Sequence, residues 1–130
     1  METNFREWIL KAENDWRAVK ILFESKNPPH DVLVFHCQQL AEKYLKAFLV
    51  KNFFSVKKTH DLLNLLTEAE KFEPALNMLR KDFNELNDYS IVPRYPDEFR
   101  EYSEAEVDKA IASSKRIRHF FRKELKMIEK

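Results

Sequence analysis

Lys43, Lys46, Lys57, Lys58 and Arg94 are the side chains in this sequence that could hold an anion. Arg94 carries a planar fork of donors that matches two phosphate oxygens at once, and Tyr95 beside it supplies a face for stacking. The same guanidinium has a structural use, since pairing with Asp15 or Glu42 would pin its loop to the rest of the protein. His30, His36, His60 and His119 are dispersed, with neither the four-residue helical spacing nor the Cys partners of a metal site, so no metal and no cofactor are expected. The sequence holds no nucleophile elbow, phosphate-binding loop or dinucleotide fingerprint. Cys37 is the single cysteine and sits in an apolar stripe, where it reads as a small core residue.

Helices must position these groups. Phe5, Trp8, Ile9, Ala12, Trp16, Val19 and Phe23 recur at three- and four-residue steps, predicting an amphipathic helix that Asn27-Pro28-Pro29 ends. Asp15 projects at the border of that apolar face, where an acid costs stability unless it is paired. A second helix is expected from about Asp31, its N-cap, to Lys51 or Asn52. Its residues Leu33, Val34, Cys37, Leu40, Ala41, Tyr44, Leu45, Phe48 and Leu49 cover more than half the helix circumference, so this helix is central. His36, Gln39, Lys43 and Lys46 share the remaining stripe, Glu42 lies at its edge, and Gln38 falls inside the apolar arc. A narrow polar strip thus runs along the helix expected to be most buried.

Thr59 is the expected cap of a third helix burying Leu62, Leu63, Leu65, Leu66, Ala69 and Phe72, with Asp61 in its first turn. Pro74 opens a fourth, carrying Leu76, Leu79, Phe83 and Leu86 and ending near Asn87 or Asp88. Ser103 and Glu106 form a capping box for a fifth, whose apolar period runs from Val107 to Ile128. Its basic end, RIRHFFRKELK, suits the helix dipole; RNA contact is the other reading. No segment alternates as a strand does, so the expected fold class is all-α, a helical bundle in a single domain over 1–130. The one long connection, YSIVPRYPDEFREY at 89–102, is polar and aromatic and reads as a functional loop packed on the bundle.

With no glycine, turns that need positive φ fall to Asn or Asp, and glycine-rich phosphate cradles are excluded. A net charge of +1 gives no global pull toward nucleic acid, so any basic patch is local. No apolar run is long enough for a signal peptide or membrane span, and a cytoplasmic protein is expected.

Three stretches in this order, QQLAEKYLKAFL at 38–49, KTHDLLNLL at 58–66 and RYPD at 94–97, resemble the HEPN superfamily over nearly the whole chain. The sequence is most similar to small stand-alone prokaryotic HEPN proteins. Many of those are encoded beside a minimal nucleotidyltransferase, and they are similar to the helical substrate-binding domain of aminoglycoside nucleotidyltransferases. The resemblance implies a four- to five-helix up-and-down bundle, commonly a homodimer, with a polar groove for nucleotide or RNA; recognition of DNA sequence is not expected. It points to Gln39, Glu42, Lys43, Lys46, His60, Asp61, Arg94, Tyr95 and Asp97 as site positions, to which Asp15 is added from its place at the core edge.

Many HEPN members are metal-independent RNases in which a His soon after the Arg activates a ribose hydroxyl. Phe99 stands here where such a histidine could, so the resemblance implies binding rather than cleavage. In some toxin–antitoxin pairs the partner nucleotidyltransferase adenylylates a Tyr just past that His; Tyr102 lies slightly beyond the offset. The expected function is a non-catalytic subunit that presents nucleotide, RNA or another substrate to a separate minimal nucleotidyltransferase, in a toxin–antitoxin-type pair. The alternatives are an RNase toxin using His60 as base and a plain helical interaction module. A homodimer is expected because the second helix has more apolar arc than one small bundle readily covers.

Overall fold

The computed structural model describes residues 4–52, 55–56, 59, 61–87, 89 and 101–126. Among them stand α1 (Phe5–Glu24), α2 (His30–Lys51), α3 (Leu62–Glu70), α4 (Arg80–Asn87) and α5 (Glu104–Glu124), with a 3₁₀ helix over Pro74–Leu79 and no strand. The all-α bundle is the expected one.

Capping chemistry sets most of the boundaries. Asn4 accepts from the Glu7 N–H at 3.2 Å while the Glu7 carboxylate takes the Asn4 N–H, and Ser103 and Glu106 make the same reciprocal box at the start of α5. Asn27, at φ 52, supplies the left-handed residue that the α1–α2 turn needs in a chain without glycine. Two expected caps move. The α2 N-cap is Pro29, not Asp31, because the chain is helical from His30 onward; Asp31 occupies the first turn, where its charge favours the helix dipole. For α3 the cap is Asp61, whose Oδ1 accepts from Leu63 N at 3.0 Å and Asn64 N at 3.4 Å, while Thr59 holds only the Asp61 N–H. Asp61→Ala should therefore cost about 1 kcal/mol in thermal or urea unfolding, and Thr59→Ala clearly less. Pro74 begins a 3₁₀ helix rather than α4, which starts at Arg80.

Side-chain pairings give the helix directions. Asp15 meets His36 and Lys43, and Glu13 meets Tyr44, so α1 and α2 run antiparallel. Cys37 neighbours Ser114 and Tyr44 stacks on Phe121 at 5.7 Å, so α2 and α5 run parallel. Asp82 of α4 accepts from Ser113 at 2.9 Å and from Arg116 Nη2 at 2.7 Å on α5, and Asn87 Oδ1 accepts from the first α3 N–H, Leu62, at 3.0 Å.

The core sits around α2. Leu33, Val34, Cys37, Leu40, Ala41, Tyr44, Leu45, Phe48 and Leu49 are all buried within a single chain, against α1, α3, α4 and α5. The width of the α2 apolar arc is thus covered internally and gives no argument for a dimer. Cys37 is fully buried, and burial is the main reason its thiol is pushed up to about 12, with the Asp15 charge adding to it and a Ser114 hydrogen bond opposing. Phe72, expected inside, is 43% exposed because α3 stops at Glu70 and leaves it in the following turn. Phe23, expected on the buried face of α1, is 51% exposed, one turn beyond the last buried residue of that helix, Val19.

Candidate functional site

The polar strip on α2 is built around Asp15. Its carboxylate comes from α1 and is buried; Oδ1 accepts from His36 Nδ1–H at 2.8 Å and Oδ2 from Lys43 Nζ at 2.6 Å. His36 and Lys43 stand two turns apart on one face of α2, so a single α1 carboxylate spans both. The acid side chain is 7% exposed, while His36 and Lys43 keep 27% and 22% of theirs at the surface. A buried anion thus holds two donors at a partly open face. With Nδ1 bonded to Asp15, Nε2 of His36 has no hydrogen-bond partner among the described residues. Lys43 has three donor positions and uses one on Asp15.

The neighbouring strip residues form further pairs. Gln39 Nε2 donates to Gln38 Oε1 at 2.7 Å, which helps satisfy a glutamine amide that is fully buried among leucines. Lys46 Nζ lies 3.0 Å from Glu42 Oε2, both side chains buried, and sits 5.2 Å from the centre of the Trp8 ring on α1. Polar groups are placed on α2 because they fasten α1 to it: at Asp15 through a carboxylate, and at Trp8 through a cation over an aromatic face.

A second cluster, absent from the sequence expectations, lies on the other side of α1. Glu13 Oε2 accepts from the Tyr44 hydroxyl and from Arg118 Nε at 2.8 Å; Oε1 accepts from Arg118 Nη2 at 2.7 Å and Arg122 Nη1 at 3.0 Å. Arg118 also covers the Trp16 ring at 5.1 Å. Burial raises the Glu13 carboxyl pKa, but the bonds from Arg118 and Tyr44 and the charges of Arg118 and Arg122 outweigh it, and the group ends below its ordinary 4.5. Tyr44 moves the other way, upward through burial, its bond to Glu13 and the Glu13 charge. The readable signal was the four-residue spacing of Arg118 and Arg122 within the basic end of α5.

The long connection begins and ends in one aromatic contact. Tyr89 and Tyr102 are buried and meet edge to face at 5.3 Å, and His30 Nδ1–H donates to the Tyr102 carbonyl at 2.6 Å, tying the end of the loop to the start of α2. Tyr102, the candidate for adenylylation, therefore has its ring packed inward. His60, Arg94, Tyr95 and Asp97, with Lys57, Lys58 and Phe99, lie outside the described residues. Of the expected site residues the structure brings together Asp15 with Lys43 and Glu42 with Lys46, places Gln39 beside Gln38, and gives Asp61 the capping of α3. The expected partner of Asp15 or Glu42 was Arg94; among the described residues both acids pair with lysines of α2. No three His, Cys, Asp or Glu side chains gather as a metal site among the described residues.

The HEPN domain family model matches residues 5–125, from the first residue of α1 to the C-cap of α5. The chain belongs to the HEPN family. Its HEPN fold aligns with the crystal structure of ST0689, an archaeal HEPN homologue, at a TM-score of 0.73 and 25% identity, covering 95% of this chain and 98% of that one. A Methanocaldococcus jannaschii protein named "Putative toxin MJ1304" is 23% identical over 125 residues, 85% of this chain and 80% of its own length. No helix of this HEPN chain, among the described residues, is long and apolar enough to cross a membrane.

Proposed function

We propose that this chain is the HEPN component of a toxin–antitoxin-type pair. It is a single domain over residues 1–130 that acts in the cytoplasm by binding a nucleotide or RNA together with a separate minimal nucleotidyltransferase. The observation that carries the reading is the Asp15 arrangement. A carboxylate buried between two packed helices fixes His36 and Lys43 in place and leaves donor capacity on Lys43 at the surface. Donors held this way by rigid elements suit an acceptor-rich ligand such as a phosphate, because little side-chain freedom is left to lose on binding. The likeness to a protein named as a toxin supports the paired, regulatory setting.

A second reading, RNA cleavage, is favoured by one feature: Asp15 behind His36 Nδ1 leaves Nε2 free, which is how a carboxylate orients an acid–base histidine. Equilibrium binding of fluorescent single-stranded RNA and of ATP tests both. Lys43→Ala should weaken the binding about ten- to a hundredfold, the loss of one charge-assisted bond, while circular dichroism stays helical. The RNA should survive incubation in chelator. Cleavage that disappears in His36→Ala would favour the second reading, and unchanged affinity in Lys43→Ala would remove the first.

A further inference from the structure

The seam between α1 and α5 is clamped at Glu13, Arg118 and Arg122, then opens. Past the clamp a groove of about 380 Å³ runs over Trp16, Val19 and Ile111, and at Phe23 and Asp108 it meets a cleft of about 840 Å³. Phe23 is half exposed there, although a ring gains nothing from water. From Trp16 to Glu24 the α1 wall is about 12 Å long, two turns of helix.

Charge divides the groove into two ends. The helices run antiparallel in the register set by Glu13 and Arg118, which brings Lys20 of α1 opposite the α5 turn that ends in Lys115, and Glu24 opposite Asp108. Glu104, one turn before Asp108, adds a third carboxylate where the cleft begins. Like therefore faces like, cations at one end and acids at the other, and none of these five side chains has an ion pair or side-chain hydrogen bond among the described residues. Glu24 has a further cost: it stands in the last turn of α1, where the helix dipole favours a base, and that turn has none.

An occupant that relieves both ends brings acids to the lysines, bases to the carboxylates, and apolar side chains to the floor between. Acids first and bases last is also the order in which a helix best carries its charges. We propose that the α1–α5 groove receives an amphipathic helix from a different protein, lying parallel to α1 with its acidic first turn on Lys20 and Lys115 and a basic last turn among Glu24, Glu104 and Asp108. Its apolar face lies on Trp16, Val19 and Ile111, and the stem of a terminal Arg or Lys crosses the Phe23 ring before its head reaches the carboxylates. This is the helix-in-groove mode of recognition, with the charges fixing direction and register. The Asp15 cluster takes no part, so the ligand reading above stands or falls separately.

Two synthetic helical peptides of about three turns test it. Both carry the same leucine face; one has glutamates in its first turn and arginines in its last, and the other has them exchanged. By fluorescence anisotropy the first should bind the natural chain and the second roughly tenfold or more weakly, since it sets like charge on like at both ends. Lys20→Glu, Lys115→Glu, Glu24→Lys and Asp108→Lys together should stay helical by circular dichroism and reverse the preference. Phe23→Ala, which leaves every charge in place, should weaken binding of the first peptide roughly tenfold. Equal affinities for the two peptides, no binding of either, a preference that the four exchanges leave unchanged, or binding of the first only as a dimer of the chain comes apart would overturn the proposal. The last of these would give the groove to a second copy.

Discussion

Glu13→Ala should lower the stability of the folded chain by about 3–5 kcal/mol, the cost of removing one member of a buried ionic cluster and leaving the others behind. The carboxylate receives Tyr44, both Arg118 nitrogens and Arg122, and so joins α1, α2 and α5 at one point. Its side chain and those of Arg118 and Arg122 are 16–23% exposed, so water offsets part of the loss and the lower end of that range is expected. Urea unfolding should show a lower midpoint with unchanged slope. Glu13→Gln keeps the shape and removes only the charge, and most of the loss should remain.

The same residue sets an acid limit. Because the folded-state pKa of Glu13 lies below the ordinary 4.5, its charge contributes stability that is fully present above that value and is lost as the pH falls through the folded pKa. The gap in stability between the natural chain and Glu13→Gln should therefore narrow on acidification below pH 4.5 and hold constant above it.

Asp15→Ala should cost about 3 kcal/mol, since it strips both a lysine and a histidine of their acceptor at the α1–α2 interface. Lys43→Ala alone should cost less, because Asp15 keeps His36. Their double variant should lose less than the sum, with a coupling of about 0.5–3 kcal/mol. Strict additivity in thermal or urea unfolding would mean that the 2.6 Å contact contributes nothing to the fold.

Much of the fold was legible because helical period and capping act locally. The Phe5–Phe23 stripe, the wide apolar arc of α2 and the Ser103–Glu106 box each identify an element without tertiary information. What was not legible depends on choices between neighbours or on distant partners. Thr59 and Asp61 can both cap, and only the backbone path decides which carboxylate or hydroxyl reaches the first turn of α3. The α2 arc read as surplus, but α3, α4 and α5 cover it. Asp15 was conspicuous as an acid at a core edge, and its partners among the described residues, His36 and Lys43, come from α2. Glu13 was silent: as a glutamate beside the apolar stripe it resembles any solvated residue, and the arginines that make it a clamp are more than a hundred positions away.

On the proposed reading the Asp15 cluster serves a ligand as well as the fold. The decisive measurement is titration of single-stranded RNA and ATP against the natural chain and Lys43→Ala, at a temperature where both are fully folded. Measurable binding is expected, falling about ten- to a hundredfold in the variant. Equal affinities, with Lys43→Ala altering only the melting temperature, would contradict it and leave Asp15, His36 and Lys43 as a fastening between two helices.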